Sequence, residues 1–275
     1  MNDEEWMAGG GIYRIVNVKK IHRIEVISTN TYVRELLGAG IELPELTVVD
    51  ADYQSGGRGQ GGNRWESERG MNLTFSLVCH PTFVRATEQF ILSQAIAVAV
   101  FRVLEGLTGG ISIKWPNDIY WQDRKICGTL IECNLEGATV RDCIIGTGIN
   151  VNQMVFSSDA PNPVSLAQIA CNMVDGKQGL TSTEGITFNR EKILSEVVKA
   201  FGELYEQIRE GRADDIRREY MLHMYRHEGF YLYREREGEP FMAEIADVGH
   251  DGLLTLRLRD GGTRKYEFKE IKYII

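Results

Sequence analysis

The chain has 275 residues, of which 43% are hydrophobic and 25% are charged. This composition is typical of a globular protein, and the length fits one large domain or a large domain with a small one. The formal net charge of −8 argues against a general nucleic-acid binder, which needs a basic surface. No stretch reaches the roughly 18 consecutive apolar residues of a membrane span. Neither a nucleic acid nor a membrane is therefore expected as a partner.

The N-terminus and the cysteines predict a cytoplasmic protein. The first residues, MNDEEWMAGGG, are acidic and lack the apolar core of an export signal. The five cysteines are an odd number, and no two of them have CxxC spacing. Reduced thiols are therefore a simpler interpretation of the cysteines than a disulfide framework or a zinc ribbon.

The first part of the chain is predicted to alternate strands with helices. β-branched and alternating apolar runs predict strands over 12–27, 46–51, 73–79 and 111–115. Ser28 and Thr29 precede TYVRELL, which is a helix-start signal. A second helix is predicted over 86–107, and its segment AIAVAVFRVL is apolar on nearly every face, which predicts that the helix is buried.

The rest of the chain changes character near residue 225. Two strands are predicted over 125–134 and 140–151, and helices over 164–174 and 190–209. After residue 225, apolar and polar residues alternate between glycine-containing turns, a pattern that predicts a small β-barrel. The predicted domains are 1–225 and 226–275.

A glycine-rich segment, SGGRGQGGN at 55–63, follows the strand at 46–51 and is predicted to be a mobile loop, with Arg64 and Trp65 directly after it. Residues 57–62 match GxGxxG, but the continuation NRWESERG lacks helical periodicity, which argues against a dinucleotide-binding fold. A P-loop would need Lys followed by Ser or Thr after Gly62. The exposed backbone N–H groups and the side chains of Arg58 and Arg64 suit an anion such as a phosphorylated ligand.

Three further segments carry polar or small residues at strand ends or inside strands: KWPND at 114–118, DRKICG at 123–128 and GTGINVN at 146–152. In KWPND, Asn117 can both donate to and accept from a purine edge. Gly146 and Gly148 weaken an apolar strand, and such glycines often make room for a flat group against the backbone. Taken singly, each segment is equally compatible with a plain turn or strand.

The order and spacing of these motifs resemble the biotin–protein ligases, from about Ser28 to Asn152. The resemblance implies an α+β fold, with a central mixed β-sheet flanked by helices, like the class II aminoacyl-tRNA synthetases. It also implies a small C-terminal SH3-like β-barrel. The family forms biotinyl-5′-AMP from biotin and ATP with Mg²⁺, and then transfers biotin to one lysine of a biotin carboxyl carrier protein.

The resemblance also implies roles for individual residues. Lys125 and Arg58 are the expected catalytic residues, with Lys125 neutralising charge on the carboxylate and the α-phosphate. The expected biotin-binding residues are Ser28, Thr29, Asn30, Gln54, Gly57, Arg58, Gly59, Gln60, Lys125, Gly128, Gly146 and Gly148. The expected nucleotide-binding residues are Arg58, Gln60, Asn63, Trp65, Lys114, Asn117, Lys125 and Asn150. Asp118 is the candidate Mg²⁺ ligand.

This chain departs from the family pattern GRGRxGRxW, because Gln60 and Asn63 stand where that pattern has arginines. Two fewer cations are expected to weaken retention of the adenylate or to shift the charge to Arg58, Arg64 and Lys125. Only 27 residues precede Ser28, so a form without the family's DNA-binding domain is expected.

Three alternatives to a biotin ligase stay open from the sequence. They are a lipoate–protein ligase of the same superfamily, a non-enzymatic biotin or nucleotide sensor, and a nicotinamide-dependent dehydrogenase. The oligomeric state is expected to be a monomer or a ligand-linked homodimer.

Overall fold

The computed structural model describes residues 18–157, 162–175 and 186–275. Its helices and strands follow in this order: β1 (Lys20–Val26), α1 (Thr29–Gly38), β2 (Thr47–Gln54), β3 (Leu73–Cys79), α2 (Phe90–Thr108), β4 (Ile111–Lys114), β5 (Asp118–Trp121), β6 (Arg124–Glu136), β7 (Thr139–Ile149), α3 (Leu166–Asp175), α4 (Arg190–Arg209), α5 (Ala213–Leu222), β8 (Tyr231–Glu235), β9 (Phe241–Val248), β10 (Leu254–Leu258), β11 (Thr263–Tyr266) and β12 (Ile271–Tyr273). The start of the strand predicted over 12–27 lies outside the described residues.

Seven strands form the main sheet, in the order β1-β2-β3-β7-β6-β5-β4. β1 and β2 are parallel, and the other neighbours are antiparallel, so the sheet is mixed. Helices pack on both of its faces, which confirms the predicted α+β class. β7 lies at the centre and pairs with β3 and β6 along most of its length.

Helix α2 forms the core on one face of the sheet. Twelve of its residues are buried, and the helix contacts α4 and α5 on its other side. The predicted burial is confirmed, because a helix that is apolar all round can be stable only when it is covered. By length and composition the segment Ala86–Thr108 could also cross a membrane, but most of it lies inside the fold.

The opposite face of the sheet carries α1 and the glycine-rich loop. Side chains alternate between the two faces along a strand, so Ile145 and Ile149 of β7 point into the core around α2. Ile144 lies on the other face with Val33 of α1. Gly146 and Gly148 share that second face, which leaves β7 without side chains beneath the loop.

Two elements and one irregularity are absent from the sequence-based predictions. Strand β5 follows the KWPND turn, and α5 follows α4. Between β5 and β6 the register shifts, since Ile119 pairs with Cys127 but Tyr120 pairs with Lys125. Ile126 is the extra residue of this bulge, and bulges reverse the alternation of side chains. Strict alternation along β6 would predict Lys125 and Gly128 on opposite faces of the sheet. That prediction is wrong, because the bulge brings Lys125 Nζ close to Gly128.

The C-terminal strands form a second, antiparallel sheet in the order β11-β10-β9-β8-β12. It agrees with the predicted small β unit, and the glycine-containing turns fall between its strands. Trp115 joins the two sheets, because its Nε1 donates to the carbonyl of Gly252 at 2.9 Å. The predicted boundary at 225/226 falls between α5 and β8 and stays a prediction.

Candidate active site

The glycine-rich loop closes on itself like a hairpin above the main sheet. Trp65 N donates to Gly57 O at 3.0 Å, and Gly59 N donates to Asn63 O at 2.7 Å. A single 3₁₀ turn spans Gln60–Gly62. Gly61 and Gly62 have φ of 64° and 89°, a left-handed conformation that favours glycine. The glycines therefore permit the turn that brings Trp65 back over the sheet.

A pocket lies between this loop, α1 and the strands β6 and β7. Nearly all of the predicted biotin-binding residues line it, although they come from six separate segments of the chain. The lining comprises Ser28, Thr29, Asn30, Gln54, Arg58, Gly59, Gln60, Trp65, Asp118, Lys125, Gly128, Thr129, Leu130, Gly146, Thr147 and Gly148. Of the predicted biotin set, Gly57 alone is missing from this lining, and it contributes to the base of the loop. The structure thus brings the predicted set together.

A buried polar network forms the end of the pocket next to α1. Gln54 Oε1 accepts from the backbone N–H of Thr29 at 2.8 Å. Ser76 Oγ lies 2.7 Å from Thr29 Oγ1 and donates to Asn30 Oδ1 at 2.6 Å. Ser28 is buried beside them, but it makes no side-chain cap bond to α1. Such a network suits a small polar ligand group, because it presents fixed donors and acceptors in a desolvated place.

Ser76 was missed by the sequence analysis. The available signal was a serine in the middle of the largely apolar strand LTFSLVC. Ser93 is a second case: it interrupts the apolar helix α2 and accepts from Asn117 Nδ2 at 2.9 Å. A buried polar group needs a partner, so polar residues inside apolar elements mark places where the fold brings two polar groups together.

The glycines of β6 and β7 make room for side chains of this chain. A Cβ at Gly146 would lie 2.2 Å from Asn30 Oδ1. A Cβ at Gly148 would lie 2.4 Å from Trp65 Cε2, and one at Gly128 would lie 3.1 Å from Trp65 Cζ3. The flat group predicted against Gly148 is thus the indole of Trp65. Trp65 Nε1 is buried and has no hydrogen-bond partner.

Lys125 and Asp118 form an ion pair in the pocket, with 2.7 Å between Nζ and Oδ1. Both side chains are about one-third exposed, 32% for Lys125 and 29% for Asp118, so the pair is accessible to a ligand. Arg58 crosses from the loop to α1 and donates to Thr31 Oγ1 at 3.3 Å. Two cations therefore face the same pocket, an arrangement that suits an anionic ligand group.

A groove of about 390 Å³ adjoins the pocket on the other side of Gln60 and Thr129, which line both spaces. Asn117 lies in this groove with Ser93, Trp115 and Phe268. The Asn117 side chain is buried, so its amide is held in a fixed orientation. The groove offers one oriented amide beside apolar and aromatic surface, which suits a purine base.

Three predicted nucleotide-binding residues lie outside both spaces. Lys114 lines a separate cleft with Tyr120 and Tyr273, and its Nζ donates to Tyr120 Oη at 2.9 Å. Burial lowers the pKa of Lys114 to about 8, although Asp118 raises it and Lys125 lowers it further. Asn150 is buried and donates to Val164 O at 3.1 Å, while its Oδ1 is unpaired. Asn63 lies next to the tip of the loop hairpin, where its carbonyl accepts from Gly59 N at 2.7 Å.

In the described part of the chain, no three His, Cys, Asp or Glu side chains are grouped as a metal site. Asp118 is the one carboxylate lining the pocket under the loop among these residues, and its Oδ1 pairs with Lys125. Mg²⁺ is often held by one or two carboxylates together with substrate phosphates. The residues present therefore fit a magnesium ion that arrives with a nucleotide.

The sequence was compared with protein families and with known proteins, and both comparisons find similarity to biotin or lipoate ligases. Residues 24–150 match the biotin/lipoate A/B protein ligase family. The chain is 35% identical over 187 residues to the bifunctional ligase/repressor BirA of Bacillus spizizenii, covering 67% of this chain and 53% of that protein. It is 39% identical over 155 residues to the BirA of Bacillus subtilis, covering 54% and 46%. The chain thus matches about half the length of these relatives.

The fold also matches a solved structure. The biotin protein ligase from Aquifex aeolicus in complex with biotin and ATP superposes with a TM-score of 0.71 at 23% identity. The match covers 93% of this chain and 99% of that one. It therefore includes the main sheet and the C-terminal sheet, and it shows that the two chains share one fold.

Proposed function

We propose that the chain activates biotin with Mg-ATP and transfers it to a protein lysine, on the basis that residues 24–150 match the biotin/lipoate A/B protein ligase family. The observation that carries the proposal is the pocket under the loop. Eleven of the twelve predicted biotin-binding residues line it, together with the ion pair of Lys125 and Asp118. A plain structural loop gives no reason for these segments to converge.

In the first step, a carboxylate oxygen of biotin attacks the α-phosphorus of ATP and pyrophosphate leaves. The polar network of Thr29, Gln54 and Ser76 binds the ureido end of biotin, so that the carboxylate points towards Lys125. The Lys125 ammonium approaches the negative oxygens of the pentavalent centre and stabilises them, since fixed charge in a desolvated site lowers the barrier most where charge develops. Asp118 holds that ammonium in place.

In the second step, the acceptor amine attacks the acyl carbon of the mixed anhydride. The carbon–oxygen bond to the phosphate breaks, AMP leaves, and the amine loses a proton. No side chain in the described part of the pocket is a clear general base for this proton. Holding the amine against the anhydride can lower the barrier substantially without one. The loop residues Gly57, Arg58 and Gly59 shield the anhydride from water until the acceptor binds.

The nucleotide is proposed to place its base in the groove beside Asn117 and its α-phosphate near Lys125. The two spaces meet at Gln60 and Thr129, so one ligand can extend through both. Asp118 would supply the protein ligand for the Mg²⁺ that accompanies ATP.

The acceptor is proposed to be a biotin carboxyl carrier protein or domain in the cytoplasm. The proposal includes neither nucleic acid nor a membrane as a partner. A monomer and a ligand-linked homodimer are both compatible with it.

The test is pyrophosphate release by the full chain with biotin and Mg-ATP, run beside calorimetric titration with biotin and with lipoate. The proposal expects pyrophosphate only when biotin is present, and tighter binding of biotin. Preference for lipoate would replace the proposal with the lipoate ligase. Biotin binding without pyrophosphate would make the protein a sensor, and tight NADH binding would favour the dehydrogenase.

A further inference from the structure

The glycine-rich loop carries little positive charge at its tip. Residues 60–63 are Gln-Gly-Gly-Asn, so the outermost part of the loop has no charged side chain. Gln60 nevertheless lies where the pocket under the loop meets the groove of Asn117. An ATP molecule with its base in the groove and its α-phosphate near Lys125 would pass this tip, and its β- and γ-phosphates require a cation.

A lysine from the C-terminal sheet reaches the tip of the loop. Lys269 lies in the turn between β11 and β12, 208 residues from Gly61, and its Nζ donates to Gly61 O at 3.1 Å. A Cβ at Gly61 would lie only 1.6 Å from this Nζ. The ammonium therefore occupies the space that a side chain at position 61 would fill.

The turn that presents Lys269 is held in place. Its neighbour Phe268 packs edge-on against Trp115, with 5.9 Å between the ring centroids. Trp115 directly precedes Pro116 and Asn117, so the turn is fixed to the segment that carries the groove amide. Lys269 itself has a φ of +73°, a conformation that is uncommon for residues other than glycine. The ring contact of Phe268 and the hydrogen bond of Lys269 to Gly61 hold the turn beside the loop.

The charge of Lys269 is available to a ligand. Among the described residues, no carboxylate lies within ion-pair distance of its Nζ, which donates to the Gly61 carbonyl and lies 6.0 Å from the ring centroid of its neighbour Phe268. Two acidic residues flank it in the turn. The carboxylate of Glu270 accepts from Glu267 N at 2.7 Å, and Glu267 lines the groove. The Lys269 side chain is exposed to solvent.

We propose that Lys269 is a nucleotide-binding residue: it supplies, from the C-terminal sheet, the positive charge for the β- and γ-phosphates of ATP that the loop tip lacks. The inference rests on the proposed function. The C-terminal sheet thus completes the nucleotide site, and the glycine at position 61 leaves room for the ammonium. Pyrophosphate leaves past Lys269 when the bond between the α-phosphorus and the oxygen bridging to the β-phosphate breaks.

The test compares Lys269→Met with the unchanged chain and with Lys265→Met, which removes another exposed lysine of the same sheet. Calorimetric titration with Mg-ATP should show binding weakened about tenfold by Lys269→Met, as expected for loss of one charge-assisted contact. Biotin affinity should be unchanged, and Lys265→Met should behave like the unchanged chain. In pyrophosphate release, the KM for ATP should rise while that for biotin stays constant.

Rescue distinguishes charge from a structural role. Gln60→Arg places a cation at the neighbouring loop position, so the Lys269→Met and Gln60→Arg double variant should regain ATP affinity. Unchanged ATP binding in Lys269→Met, equal weakening of biotin and ATP binding, or absence of rescue would each overturn the inference. If the unchanged chain binds Mg-ATP but releases no pyrophosphate with biotin, the proposed function fails, and the calorimetry still decides the role of Lys269.

Discussion

Trp65 lies directly on Gly148, so closely that a Cβ on this glycine would be 2.4 Å from Trp65 Cε2. The indole fills the slot that the glycines of β6 and β7 create, and about 60 Å³ of space is left under the loop. Sites for small molecules usually enclose about 300 Å³ or more. Binding of biotin therefore requires that Trp65 move away from Gly148 and that the loop open with it.

Gly148→Ala tests this contact. The added methyl group clashes with the indole, so we expect the free energy of unfolding to fall by about 1–3 kcal/mol, as for other overpacked sites. Adding Trp65→Ala should recover part of this loss, because the clash is removed. Gly106→Ala is the control: nothing lies within 4 Å of its Cβ position in α2, and alanine should stabilise the helix by up to about 1 kcal/mol. Chemical denaturation measures Gly148→Ala, Trp65→Ala, the double variant and Gly106→Ala. Additive effects of the two site changes would contradict the contact.

Lys125→Ala should lose activity far more than stability. The ion pair with Asp118 is partly exposed, and such pairs contribute about 0–1 kcal/mol to stability. Loss of a cation that stabilises developing charge should lower the rate of adenylate formation about 10²-fold or more. Pyrophosphate release and thermal unfolding measure the two effects, with Lys272→Ala in β12 as the control. Comparable losses in both measurements would indicate that Lys125 is only structural.

Arg58→Gly should let biotinyl-adenylate escape from the site. Arg58 connects the loop to α1 through Thr31 Oγ1 at 3.3 Å, and its removal loosens the closed loop and takes one cation from the pocket. Released adenylate acylates any nearby amine, so bystander proteins should gain biotin in the presence of Mg-ATP. Arg69→Gly, which lies outside the loop, serves as the control. Retention of the adenylate by Arg58→Gly, seen as unlabelled bystanders, would contradict the role of Arg58.

The lowered pKa of Lys114 predicts that the free energy of unfolding depends on pH. Its pKa is lowered by burial from 10.5 to about 8, so between these pH values the unfolded chain binds more protons than the folded one. Stability contributed by this group therefore rises with pH across that window. Lys114→Met should be more stable than the unchanged chain near pH 7, and the difference should shrink towards pH 10.5.

Urea denaturation at several pH values measures the difference in the free energy of unfolding between Lys114→Met and the unchanged chain. Lys192→Met, which replaces an exposed lysine of α4, is the control. If this difference in the free energy of unfolding stays constant with pH, the pKa of Lys114 is not lowered in the folded protein.

Much of the site could be predicted from the order of short motifs. The glycines at 146 and 148 predicted a flat group against the backbone, because a strand loses packing and propensity at such positions. That this group is Trp65 could not be predicted, since it depends on how the loop turns back at Gly61 and Gly62. The contact of Lys269 with Gly61 joins segments 208 residues apart, and no local pattern encodes it.

The elements that the sequence did not predict were missed for similar physical reasons. Strand β5 has four residues directly after a turn, too few for a pattern of alternation. Helix α5 has buried side chains only at Ile216 and Tyr220, so its polar sequence shows a weak apolar face. The bulge at Ile126 depends on pairing between β5 and β6, and it decides that Lys125 points towards Gly128. Tertiary pairing, rather than local propensity, therefore places Lys125 in the pocket under the loop.

The most direct test of the central claim is mass spectrometry of a biotin carboxyl carrier domain incubated with the full chain, biotin and Mg-ATP. We expect the carrier domain to gain one biotinyl group on a single lysine, with no gain when ATP is omitted or when lipoate replaces biotin. A carrier domain of unchanged mass, with a chain that is folded and binds biotin, would contradict the assignment as a biotin ligase.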